Sequence, residues 1–300
     1  MRSVLRFTAA VLTAALALAN TACGSKSSQR TPTGPQPPAA VDSGAQGVTA
    51  MAVAPSLGAA GSFAVVASST VTNTGPTVLN GDLGVSPGNT ATGFPPGTVT
   101  GTTHLGDANS LAAQGGVTTA FNALGSQACN LDLTGTDLGG LTLTPGVYCF
   151  SSSAQLTGTL TLNGLGNAGS VWVFKIGSTL TTASGSSVAF INGGQACGVF
   201  WRVGSSATLG TATNFAGNVL AQASISLNTG ANNSGALFAR TGAVTLDTNV
   251  VSVVGSCGSG PQPSPTPLGG PGGVPALPHG MEWALFAILV GTGTYLLRRH

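Results

Sequence analysis

Charge is nearly missing from this chain. Only 5% of its 300 residues are Asp, Glu, Lys or Arg, and six of the nine cations (Arg2, Arg6, Lys26, Arg30, Arg298 and Arg299) lie in the terminal segments. Between residues 31 and 280 three cations remain, Lys175, Arg202 and Arg240, against six Asp, a net of −3. With no basic patch, nucleic acid is excluded as a partner, because phosphate contacts supply most of such binding. Glu is absent from the same stretch. Polysaccharide chemistry of the kind found on β-helices needs paired carboxylates, or carboxylates with calcium and a base, in one cleft. Only Asp132 and Asp137 are close in sequence, in a turn-rich stretch where Asp usually bonds its own backbone. His104 has Asp107 as its one carboxylate neighbour, and no Ser has His–Asp company. There is no Cys-x-x-Cys and no His cluster, so neither a metal nor a cofactor is expected. The chain reads as a non-enzyme.

What it has instead is glycine, 46 residues, with abundant Thr, Ser and Asn and a hydrophobic fraction of 42% that a disordered polar chain would not carry. Over Ser206–Val254 one pattern is written nearly three times. Ala207-Thr208-Leu209 to Ala221-Gln222 returns as Ile225-Ser226-Leu227 to Ala239-Arg240 and begins again at Val244-Thr245-Leu246. The first offset is 18 residues, from Leu209 to Leu227, Thr211 to Thr229 and Gly217 to Gly235. A short fixed period of β-branched and small residues with glycine at the corners is the mark of a β-solenoid, in which no coil buries its apolar side alone.

Less regular coils precede it. Short strands are expected in Ser62–Ala67, Thr70–Thr72 and Val78–Leu83, then again from Gly140 through Val147–Phe150, Leu160–Leu162, Val171–Phe174, Val188–Ile191 and Val199–Trp201. Aromatics concentrate in these middle coils, which predicts a core wider there and narrower toward Val254. Residues 107–127 differ in kind. Asp107 or Asn109 can cap a helix, and Leu111, Val117, Phe121 and Leu124 fall at helical spacing. Gly115-Gly116 weakens its middle by about 1 kcal/mol per Gly relative to Ala. One helix lying along the solenoid is expected.

Residues 1–22 have the charged start and apolar run of a secretory signal. Cys23, after Asn20-Thr21-Ala22, resembles the lipidated cysteine of a bacterial lipoprotein, with ordinary signal cleavage as the alternative. Residues 23–56 and 258–277 are Pro-, Ser- and Gly-rich linkers. Residues 278–300 carry Trp283, an apolar run to Leu297 and Arg298-Arg299, sufficient for a short membrane span. With Val274-Pro275-Ala276-Leu277 before them, they resemble bacterial sorting segments of the IPTL type. Both ends place the solenoid outside the cytoplasmic membrane, at a cell surface or beyond it, with the C-terminal helix and Cys23 as candidate membrane attachments. In an exported chain Cys129, Cys149, Cys197 and Cys257 suit two disulfides. Three pairings are open. Cys129–Cys149, fastening the helix exit to the next coil, and Cys197–Cys257, fastening the last coil to the body, are favoured.

A surface motif recurs as Thr74-Gly75-Pro76-Thr77, Thr211-Ala212-Thr213-Asn214 and Thr229-Gly230-Ala231-Asn232, the last two at one phase of the repeat. Stacked coils would set such residues in ladders about 4.8 Å apart. The alternative is that Asn and Gly simply suit solenoid corners. Residues 57–254 resemble the bacterial and fungal ice-binding protein family. The resemblance rests on Gly81-Asp82-Leu83-Gly84, Gly139-Gly140-Leu141-Thr142 to Tyr148, Val171-Trp172-Val173-Phe174, Val199-Phe200-Trp201-Arg202 and Gly242 to Asp247. It implies a right-handed, three-faced, discontinuous β-solenoid at residues 57–257 with one flanking α-helix, an all-β fold whose N-terminal coils stack on the C-terminal ones. It also implies that a flat face binds ice, that is, ordered water, by a monomer. On this chain that face is expected to include Thr74, Thr77, Thr182, Ser187, Thr211, Asn214, Thr229, Asn232 and Thr248. Asn233 stands where the equivalent Phe215 implies an inward apolar residue, so local irregularity is expected there. A surface scaffold or adhesin of the same fold, without ice activity, is the competing expectation.

Overall fold

The computed structural model describes residues 51–257. The signal segment, Cys23, most of the first linker, the second linker and the C-terminal segment lie outside the described residues. Among the described residues no helix is long and apolar enough to cross a membrane.

Every strand pairs in parallel, and the strands form three sheets of nine, seven and eight, here sheets A, B and C. Each coil visits them in the order A, B, C. The first passes through Phe63–Ala67, Thr70–Thr74 and Val78–Asn80, the second through Asp82–Val85, Thr90–Thr92 and Thr98–Val99. A last strand of this group, Thr103–Leu105, forms one edge of sheet A, and Leu131–Asp132 forms the other. Between them runs the helix Ala108–Ser126. Nineteen helical residues span about 28 Å and eight strand spacings about 38 Å, so the helix plus its connections carries the chain from one end of the stack to the other. The coils then advance back until Leu237–Ala239, Val244–Asp247 and Val250–Ser252 pair with the first coil. The seam is therefore closed by residues about 170 positions apart, as in Val250 opposite Val78.

The helix covers sheet A, which explains why strands such as Phe63–Ala67, Gly146–Phe150 and Asn218–Ala221 read as unbroken buried runs. Inward, one register column runs Tyr148, Phe174, Trp201, Val219, Leu237, Val65 and Leu83. Aromatic rings fill its first three positions and Val or Leu the last four, so the core narrows from the aromatic coils toward the seam. Outward, Val66, Val173, Phe200, Leu220 and Phe238 meet Ala113, Val117, Ala120, Phe121 and Leu124 of the helix. Leu111, expected on that stripe, is 64% exposed. The helix approaches through small residues instead. A Cβ on Gly116 would lie 2.4 Å from the Leu57 carbonyl oxygen, so only glycine lets the helix meet the 3₁₀ turn Gly58–Ser62 so closely. Residues 51–56, read as linker, are part of this arrangement: Val53 exchanges two hydrogen bonds with the Gln127 side chain.

All three cations of the body serve the helix. Lys175 donates to the Gln127 carbonyl just past its end, and Arg202 Nε to the Phe121 carbonyl at 3.2 Å. The guanidiniums of Arg202 and Arg240 lie 4.2 and 4.4 Å from the Phe121 ring centroid, so one ring is paired with two cations. Positive charge near a helix C-terminus is favourable. At the other end Asp107, not Asn109, is the cap: its Oδ1 accepts from Ser110 N at 2.8 Å. The backbone bond from Ser110 and then the side-chain bond from His104, 2.7 Å away, lower its pKa from 3.8 to about 2. A folded-state pKa below the unfolded one means stability present above the unfolded value and lost as pH falls through the folded value. The thermal midpoint should therefore drop between pH of about 4 and about 2, and should drop less in Asp107→Asn, which keeps the cap without the charge. Parallel curves for the two proteins would show that the cap is not what titrates.

Cys129 is joined to Cys149 and Cys197 to Cys257, closing sequence separations of 20 and 60. The first fastens the helix exit to sheet A. The second draws the chain after Val250–Ser252 back to the turn Ala196–Gly198.

Candidate functional site

With sheet A covered, two faces remain open, and they are built differently. In sheet B the strands are short and alternate apolar–polar–apolar in Ala207-Thr208-Leu209, Ile225-Ser226-Leu227 and Val244-Thr245-Leu246, and buried–exposed–buried in Leu180-Thr181-Thr182, whose inward Thr182 is polar. The apolar members fill the core. The middle residue of each faces out, and strict register aligns Gln155, Thr181, Thr208, Ser226, Thr245, Thr72 and Thr92 in one row. Six strand spacings make it about 29 Å long. Beside it, two residues earlier in each coil, stand Ser153, Thr179, Ser206, Ser224, Ala243, Thr70 and Thr90. The two rows are uncharged.

The side chains of the central row are free of intramolecular bonds: among the described residues, Thr181, Thr208, Ser226, Thr245, Thr72 and Thr92 have no protein hydrogen-bond partner for their hydroxyls. Their neighbours are partly engaged. Ser153 and Thr179 lie 2.8 Å apart, and the Ser206 and Ser224 hydroxyls accept from backbone N–H groups of the following coil at 3.3 Å. An evenly spaced line of hydroxyls and methyls, fixed by a backbone that cannot shift coil by coil, can hold water only at repeating positions.

Most of the nine residues expected on the face fall elsewhere. Only Thr74 and Thr182 lie on sheet B, Thr74 exposed at the strand end opposite Asp247 and Thr182 turned into the core. Thr211, Thr229 and Thr248 line the corner between sheets B and C, and Ser187, Asn214 and Asn232 form the first row of sheet C. Thr77 and Thr182 cannot meet an external ligand, since both are buried (0% and 3% exposed). The Thr77 hydroxyl accepts from Asn249 N, and Thr182 Oγ1 is 2.9 Å from Thr213 Oγ1. Each corner needs a residue at positive φ, supplied by Gly75, Gly185, Ala212, Gly230 and Thr248. It also closes a turn, as in Ala231 N to Asn228 O and Thr213 N to Gly210 O. The motif recurs in phase because the turn does. Corner hydroxyls are further consumed by Asp247, which accepts from Thr229 and from Thr248. Sheet C is the less regular face, with Val78 and Val250 interrupting its polar row and Ile191 exposed.

Asp132 and Asp137, the two carboxylates closest in sequence, are turn formers. Asp132 accepts from Thr134 N, and bonding from the Thr134 hydroxyl, then from this N–H, lowers its pKa. For Asp137 burial acts to raise the pKa, but bonds from Thr157 N, Gly139 N and the Thr157 hydroxyl outweigh it. Asp137 thereby staples the first C-terminal-side coil to the next.

Fold and faces together define a β-solenoid distinguished by a surface, not by a cleft. The sequence pattern of the family described as Ice-binding-like matches residues 65–252. An ice-binding protein of Nostoc sp. (strain HG1) is 58% identical over 207 residues, 69% of this chain and 76% of that protein. The crystal structure of an ice-binding protein from the Antarctic ascomycete Antarctomyces psychrotrophicus superposes with a TM-score of 0.66 at 48% identity, covering 68% of this chain and 100% of that one. Ice-binding protein 1 of Shewanella frigidimarina is 37% identical over 237 residues, 67% of this chain but 26% of that longer protein. The chain belongs to the ice-binding-like family.

Proposed function

We propose that this protein adsorbs to ice through the outward face of sheet B and so inhibits recrystallisation. The observation that carries the reading is the row from Gln155 to Thr92: uncharged, in register, and with its hydroxyls left unbonded by the protein. Family membership and the names of its relatives support it. Thr74 and the corner residues Thr211, Thr229 and Thr248 border this face, and Ser187, Asn214 and Asn232 lie one face away, in a supporting role at most. The two disulfides suit an oxidising compartment. With the signal-like start, they support an exported protein, attached to a membrane through residues 278–300 or a lipidated Cys23.

The test is direct. Thr208→Tyr with Thr245→Tyr puts two rings in the middle of the row, where outward side chains meet no packing constraint. Ice adsorption, measured by partition into a growing ice phase, should fall at least tenfold with the thermal midpoint unchanged. Thr211→Tyr with Thr229→Tyr should reduce it far less. Equal loss from the corner pair and none from the sheet-B pair would move the site to the corner. No inhibition of recrystallisation by the unmutated chain would favour a scaffold.

A further inference from the structure

The chain enters and leaves the solenoid at one edge. Met51, the first described residue, shares a cleft with Leu165 and Val171, in the connection from sheet C to sheet A ahead of Trp172–Ile176. Cys257, the last, is bonded to Cys197, in the connection from sheet C to sheet A ahead of Val199–Val203. Those two strands are neighbours, so the exits are about one coil apart, roughly 5 Å along the stack.

Neither exit is where the nearest strand would leave the chain. Val250–Ser252 is three strands from Ser187–Ile191 in sheet C, about 14 Å, and residues 253–257 run back over that distance to reach Cys197. Five residues span at most about 17 Å, so the return is nearly extended. The N-terminal segment makes a similar return, from Phe63 beside the seam back under the helix to the coils near Val171. The two segments line one open cleft with Phe200 and Asn218.

In a three-sided stack the edge between sheets C and A is the one opposite sheet B. The geometry points to a display head: a solenoid joined to any larger body only along its C–A edge, so that sheet B faces away from that body. The disulfide Cys197–Cys257 fixes this on the C-terminal side, because it brings a connection that would otherwise start at the seam to the shared exit. A partner of any bulk, a further domain or a cell envelope, then leaves the sheet-B row unshadowed. The long Shewanella relative, in which the matched part is 26% of the protein, has such further chain to carry. This inference rests on sheet B being the face that meets ice.

A compact globular domain inserted without a linker into the full chain tests it, either between Cys257 and Gly258 or between Ala50 and Met51. Ice adsorption should stay within about twofold of the unmodified chain for both insertions. The same domain placed between Thr211 and Ala212, at the B–C corner, should reduce adsorption at least tenfold, with folding checked by the thermal midpoint. A tenfold loss from either terminal insertion, with the midpoint unchanged, overturns the inference whatever the corner insertion does. Failure of the sheet-B assignment is read separately, from retained adsorption in Thr208→Tyr with Thr245→Tyr.

Discussion

Truncating Trp201 to Ala is expected to cost about 3–5 kcal/mol, read as a lower urea midpoint. The ring is fully buried in the widest coil, stacked on Phe174 with centroids 4.0 Å apart and leaning on Phe215 at 4.8 Å. Its Nε1 donates to the Ala216 carbonyl at 2.9 Å, a buried acceptor that loses its donor in the variant. A globular core can relax around such a gap. Here the walls are strands bonded to coils on both sides, Trp201 itself lying between Phe174 and Val219 in register. A coil cannot move inward without leaving its neighbours, so the cavity persists and its cost approaches the upper part of the range. A loss below about 1 kcal/mol would mean that the stack closes over the gap and that its coils are not held rigidly by their neighbours. Sheet B need not lose its register, so ice adsorption per folded molecule should be retained.

The solenoid was legible because its causes are local. Period, corner glycines and the alternation within Ala207-Thr208-Leu209 or Val244-Thr245-Leu246 all follow from one coil's need to bury one side. The helix was legible in extent and, but for one residue, in phase. Val117, Phe121 and Leu124 of the expected stripe do face sheet A, but Ala113, Gly116 and Ala120, whose smallness lets the helix sit close, complete the contact, and Leu111 is left outside. The candidate face was missed for a different reason. Thr211, Thr229 and their Asn partners repeat conspicuously because a backbone turn repeats, and a turn selects residue types as strictly as a ligand does. The signal for Thr208, Ser226 and Thr245 lay in plain period-two alternation, inside the same copies. Thr72 and Thr92 carried no such signal. They join the row only because Thr72 pairs with Thr245 across the seam, a contact that no sequence offset announces.

That seam is where the second large effect is expected, and two asparagines set its sign. Asn249 is buried between the last coil and its neighbours. Its Nδ2 donates to Asn228 O at 3.0 Å and Ala231 O at 2.7 Å, while its Oδ1 accepts from Asp247 N at 2.6 Å. Its backbone N donates to the Thr77 hydroxyl, which ties the C-terminal coil to the N-terminal one. Asn249→Ala would leave the Ala231 carbonyl and the Asp247 N–H without partners inside the stack, while the Asn228 carbonyl keeps its bond from Ala231 N. At about 1–3 kcal/mol for each buried group left unpaired, partly offset by relaxation, a loss of about 3 kcal/mol is expected. Asn233 is equally buried, opposite Phe215 on one side and Val251 on the other, but only its Nδ2 finds a protein partner, the Gly217 carbonyl at 3.2 Å. Its Oδ1 meets no donor among the described residues. Asn233→Val removes that half-bonded amide and the long bond it gives the Gly217 carbonyl, and offsets that loss with a side chain suited to a position between Phe215 and Val251. The change should therefore be neutral or stabilising by up to about 1 kcal/mol. Urea midpoints of the two variants should move in opposite directions, or one down and one not at all. Comparable losses from both would show that hydrogen-bond completeness does not distinguish the two amides, and that packing volume, not pairing, holds the seam closed.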